Sequence, residues 1–109
     1  MAELEGPFQT ELRKRLELRF PDCIVSKQDS SYRQGIPDLG VFMPNGFFAL
    51  LEVKRSASAP SRPNQSYYVS KAQEMCFGAT VYPENLEEVL DALQSTYESH
   101  RQACLSECQ

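Results

Sequence analysis

The sequence has no apolar run approaching the roughly 20 residues that a membrane-spanning helix requires. Its opening, Met1-Ala2-Glu3-Leu4-Glu5, carries no signal-peptide pattern, and the two absences together point to a cytoplasmic protein that is not membrane-bound. Cys-x-x-Cys is also missing: Cys23, Cys76, Cys104 and Cys108 form no such pair, and a cytosolic setting argues against a disulfide framework. Cys23 and Cys76 read instead as small core residues. There is no internal repeat and no low-complexity segment. What is present is a chain of ordinary globular composition, long enough for one modest core and too short for two. The expected organisation is a single domain over residues 1–99 and a polar tail over residues 100–109. In that tail His100, Cys104 and Cys108 recur at every fourth position, one stripe if the segment is helical. A frayed terminus is the plain account of it, and a shared metal the sharper one.

The formal net charge is −4, unpromising for a protein that handles nucleic acid, but it is unevenly spread. Through Lys71 there are ten Lys and Arg against eight Asp and Glu, and beyond it one against seven. The acidic end is therefore expected to face away from any polyanion, leaving a more basic working surface.

That surface is expected around residues 35–55. Two apolar β-type runs, 39–43 and 47–53, flank Pro44-Asn45-Gly46, a hairpin signal. Asp38 opens the first run, while Glu52 and Lys54 fall two apart in the second and so share a face with Phe48 and Leu50. Phe47, Ala49, Leu51 and Val53 make an apolar opposite face, so the strand reads as central and covered on both sides. Charge in such a strand is expensive unless neutralised. Magnesium takes oxygen ligands, commonly one or two carboxylates with water and substrate phosphate, and Asp38 with Glu52 supplies that number. Lys54 beside them can hold an attacking water or offset charge growing on a phosphate. The competing account is a solvated strand face with a cross-strand ion pair and Pro37-Asp38 as a simple turn.

Pro37-Asp38 followed by Glu52-Val53-Lys54 resembles the PD-(D/E)XK nuclease signature. Gly35-Ile36-Pro37-Asp38-Leu39 before the hairpin and Gln65 after a polar loop are similar to the VRR-NUC branch, which includes small phage nucleases and Holliday-junction resolvases. The resemblance spans residues 8–93. The Arg62-Pro63-Asn64 lead-in to Gln65 departs from the family pattern.

Around this centre, Pro7 can open a helix over 7–19 with Phe8, Leu12 and Leu16 as its apolar stripe and Lys14 and Arg15 among its basic residues. Glu11 beside the stripe is the best match to the helix-one glutamate that the resemblance brings to the metal; a solvated glutamate competes. A first strand is expected over 23–27, beside the hairpin. In the loop over 28–34, Arg33 is a candidate phosphate contact and Tyr32 a stacking or polar one, against a plain solvated pair. Arg55 and Arg62 extend the basic surface along a proline-rich loop that can clamp DNA or simply connect. A helix over 64–76 follows, with Val69, Ala72 and Cys76 inward and Gln65 in its first turn. Gly78 is expected to end that helix and residues 79–82 to form a last, parallel strand. A final helix over 84–99 turns Leu86, Val89, Leu90 and Leu93 inward.

The order α-β-β-β-α-β-α is that of a minimal restriction-endonuclease-like α/β core, a mixed four-stranded sheet flanked by helices. The resemblance implies a Mg2+- or Mn2+-dependent deoxyribonuclease acting on branched DNA as a homodimer in a bacterial or phage-infected cytoplasm. It implies Asp38, Glu52 and the Val53 carbonyl as metal ligands, Lys54 as the water-positioning group, and Gln65 and Glu11 in support. The alternative is a non-catalytic DNA-binding module that keeps the fold and uses Lys14, Arg15 and the basic loops for backbone contacts.

Overall fold

The computed structural model describes residues 2–28, 35–60 and 65–107, with side chains over 6–28, 35–60 and 66–106. Tyr32, Arg33 and Arg62 lie outside the described residues, and so does the side chain of Gln65. The chain runs α1 (Ala2–Arg19), β1 (Ile24–Lys27), β2 (Leu39–Met43), β3 (Phe47–Val53), α2 (Gln65–Met75), β4 (Phe77–Val81), a 3-10 turn (Pro83–Asn85) and α3 (Leu86–Glu107). The strands form one mixed sheet in the order β1-β2-β3-β4, antiparallel at the first two junctions and parallel at β3–β4. This is the restriction-endonuclease-like topology expected from the sequence, with β3 central.

The hairpin forms where its turn chemistry requires. Asn45 has φ 67° and Gly46 φ 72°, both left-handed, a region that glycine enters freely and asparagine tolerates better than other side chains. The resulting register pairs Met43 with Phe47 and Leu39 with Leu51. Odd-numbered residues of β2 and β3 therefore share one face, where Leu39, Val41, Met43, Phe47, Ala49, Leu51 and Val53 are all buried. Helices α1 and α3 cover that face. Phe8, Leu12 and Leu16 of α1 and Leu86, Val89, Leu90 and Leu93 of α3 are buried in the same cluster, as their spacing predicts. Cys23 and Cys76 are half-buried against it. Burial, with Glu17 adding to it, pushes the Cys23 thiol pKa up.

The opposite face is only partly covered. Phe48 and Leu50 are half-buried and Phe42 is exposed. Here α2 packs against β4, and Gly78 is the reason that it can. A Cβ at Gly78 would stand 2.2 Å from the Val69 carbonyl oxygen and 2.9 Å from the Ala72 Cβ. Gly78 is thus a strand residue, the second of β4, rather than the end of the helix expected from the sequence; α2 stops at Met75 and β4 begins at Phe77. The absent side chain serves close helix–strand approach, a role that helix-stop reasoning does not separate from a C-cap.

Two helices are longer than expected. Residues 2–6 join α1, so Pro7 lies inside the helix, where its missing N–H leaves one carbonyl without its usual bond. At the other end α3 continues past residue 99 to Glu107. Its inward stripe carries on in polar or aromatic dress: the Tyr97 ring packs 6.3 Å from Phe20 and 5.4 Å from Phe47, and the His100 ring 5.3 Å from Phe47. Residues 100–107, expected as a tail, are helix, and the Tyr97 and His100 rings extend its packed face as far as the start of that segment.

Candidate metal and phosphate site

Asp38, Glu52 and Lys54 are brought together by strand register. Leu39 pairs with Leu51, so the next position places Asp38 across from Glu52, and on the other side Gln28 N–H donates to the Asp38 carbonyl at 2.8 Å, extending β1 past Lys27. Asp38 sits where three strands meet at one end of the sheet. Its carboxylate is fixed by the backbone: Val53 N–H donates to Asp38 Oδ2 at 2.8 Å. That bond ties the Pro-Asp segment directly to the Glu-Val-Lys strand.

Glu52 is 2% exposed and Lys54 9%, the two charged side chains buried among the described residues. Glu52 is buried because β3 lies between β2 and β4, where its register partner on β4 is Thr80. Lys54 N–H donates to the Val81 carbonyl at 2.8 Å, prolonging the parallel ladder beyond Val53, and Lys54 Nζ donates to the Ala59 carbonyl at 3.1 Å. The loop after β3 therefore folds back over the ammonium.

The donor set fits a small hard divalent cation. Asp38 and Glu52 are carboxylates on one face of the sheet edge. Two carboxylates would leave the remaining positions to water and phosphate, the usual division for magnesium. Among the described residues no group of three or more His, Cys, Asp and Glu side chains is placed to hold a metal, so Glu11 does not complete such a group with Asp38 and Glu52. It lies exposed on α1.

The expected basic surface is differently arranged. Arg15 pairs with Glu87 of α3, while Arg19 reaches Asp91 at 2.6 Å and Glu87 at 3.4 Å. Arg15 is thus held in an ion-pair network between helices, and the acidic residues of α3 are its partners. Lys14 and Arg55 are exposed. A cleft of about 360 Å³ between the end of α1, the hairpin turn and α3 is lined by Arg19, Phe20, Asp22 and Tyr97 among others, and by none of Asp38, Glu52 and Lys54. Sequence reasoning missed Gln28 and Ala59, which act through backbone groups and leave no side-chain signal.

No family model and no curated protein matches the sequence. Among solved structures the fold matches one described as "VRR_NUC domain", with 23% identity over 81% of this chain and 95% of that one and a TM-score of 0.65. The likeness establishes the fold: this chain has the architecture of a VRR-NUC domain, within the restriction-endonuclease-like class. No helix among the described residues is long and apolar enough to cross a membrane.

Proposed function

We propose that the protein is a Mg2+- or Mn2+-dependent nuclease that hydrolyses phosphodiester bonds in DNA. The observation that carries this reading is the burial of Glu52 and Lys54 two residues apart at the end of β3, with the Asp38 carboxylate fastened to the backbone N–H between them. A bound divalent cation would lower the pKa of its water and offset phosphate charge. Asp38, Glu52 and the Val53 carbonyl would hold it. Lys54 orients the attacking water and stabilises charge developing on the phosphate. Water oxygen bonds to phosphorus as the bond to the leaving sugar oxygen breaks, the water proton passing to solvent and the leaving oxygen taking one back. Gln65, at the start of α2, and Glu11 are supporting residues. Arg33, Tyr32, Arg55, Arg62 and Lys14 are proposed contacts to the DNA backbone. Arg15 contributes there once released from Glu87. The substrate is proposed to be branched DNA, cut by a homodimer that sets one site against each of two strands in the cytoplasm.

A non-catalytic DNA-binding module would draw its affinity from α1 and the basic loops, and on α1 Arg15 and Arg19 are engaged by Glu87 and Asp91. The hydrolytic reading also accounts for the buried charges. The test is cleavage of labelled four-way junction, flap, duplex and single-stranded DNA with magnesium, manganese or EDTA. Metal-dependent cutting, reduced at least about a hundredfold in Asp38→Asn and in Lys54→Ala, is expected. Folded protein that binds DNA but cuts none of these substrates would make it a binding module.

A further inference from the structure

The far end of α3 brings together groups that the nuclease reading does not use. His100 and Cys104, one helical turn apart, meet with Nε2 and Sγ separated by 3.5 Å. Both address the same backbone atom: Nε2–H donates to the Asn45 carbonyl at 2.6 Å and the Cys104 thiol points to it at 3.9 Å. The imidazole is held in place by its 5.3 Å packing on Phe47, and Phe47 in turn packs on Tyr97.

We propose that His100 and Cys104 form a binding site for a thiophilic divalent cation of the zinc class. The geometry carries it. In a tetrahedral site with Zn–S of about 2.3 Å and Zn–N of about 2.0–2.1 Å, the sulfur and nitrogen stand about 3.5 Å apart. His100 and Cys104 already hold that spacing, and the ion would take the place of the Nε2–H bond to the Asn45 carbonyl, which has to draw back from Nε2 as the ion enters. Nitrogen and sulfur donors select zinc over magnesium, which prefers the oxygens at Asp38 and Glu52. The two sites are also distant. Phe47 opens β3 and Glu52 lies five residues on, about 17 Å along an extended strand.

Binding is a proton-coupled exchange. The thiol releases its proton to solvent as sulfur bonds to the ion. The imidazole takes the tautomer with its proton on Nδ1, giving up the bond from Nε2 to Asn45. Water fills the remaining positions. Cys108 follows one turn later in the sequence, outside the described residues, and is not part of the assignment. Cys23 is a poorer competitor, because partial burial raises its thiol pKa and so disfavours the thiolate that binds an ion.

Cobalt(II) is the probe, since a cobalt–thiolate bond gives a charge-transfer band in the near ultraviolet that oxygen ligands do not. Reduced, metal-stripped full-length protein titrated with cobalt is expected to develop that band with one ion per chain, and zinc to bleach it. Cys104→Ser should abolish the band, and His100→Ala should weaken uptake by roughly tenfold or more. Cys108→Ser and Asp38→Asn should leave the band in place, the second separating this site from the carboxylate site. A wild-type protein that shows no band, or a band that survives Cys104→Ser, overturns the proposal.

Discussion

Gly78 and the pair Glu52 and Lys54 show opposite kinds of residue-level constraint. The charged pair was legible in the sequence because charge within an apolar strand contradicts its surroundings. Gly78 was legible only as something special, and its meaning depended on what lay above it. Besides the Ala72 Cβ, the atoms above are backbone: the Val69 carbonyl oxygen, and Gln73 N at 2.9 Å from where a Cβ would stand. Backbone cannot step aside as a flexible side chain can. Gly78→Ala should therefore lower stability by about 1–3 kcal/mol, read as a reduced urea midpoint. An unchanged midpoint would mean that α2 does not sit as close to β4 as described.

At the scale of elements, α1 and α3 are joined by two kinds of contact. Beneath lies the shared apolar cluster, with Leu12, Leu16 and Leu93 fully buried. Above it lie the pairs of Arg15 with Glu87 and of Arg19 with Glu87 and Asp91. These carboxylates are well exposed, so solvent screens the pairs and their contribution to stability is small. Their consequence is electrostatic, since they quench Arg15, which the sequence offered to DNA, together with its neighbour Arg19. Replacing Glu87 by Ala should change stability by less than about 1 kcal/mol. It should also tighten binding of duplex DNA at low salt, with a steeper salt dependence as the freed arginines reach phosphate. Titrations at several salt concentrations check this, and a variant that binds as weakly as the wild type would remove α1 from the DNA surface.

For the whole molecule, the separation of core from site decides how metal and fold are linked. The core lies between the odd-numbered face of β2 and β3 and the helices α1 and α3, while Asp38 and Glu52 stand at the sheet end. The chain should therefore remain folded in EDTA, with cooperative unfolding intact. Magnesium, binding the folded state alone and relieving repulsion between the two carboxylates, should raise the unfolding midpoint in proportion to the logarithm of its concentration. Asp38→Asn should abolish that rise. Thermal denaturation over a magnesium series measures both, and a rise that persists in the variant would place the ion elsewhere.

The sequence by itself determined the order of the elements and the pairing of Glu52 with Lys54. Two apolar runs set β2 and β3 to the residue, Asn45-Gly46 set their turn, and the spacing of Phe8, Leu12 and Leu16 set the buried side of α1. These are local or periodic properties, written in neighbouring side chains. Only the tertiary structure decided which charges are quenched, why Gly78 is bare, and where α3 ends. Each of those depends on a partner far along the chain: Glu87 for Arg15, Val69 and Ala72 for Gly78, Phe47 and Asn45 for His100. Periodicity reports that a face is buried. It carries no record of what is packed against it, and that neighbour determines whether a glycine is a cap or a contact and whether an arginine remains available to DNA.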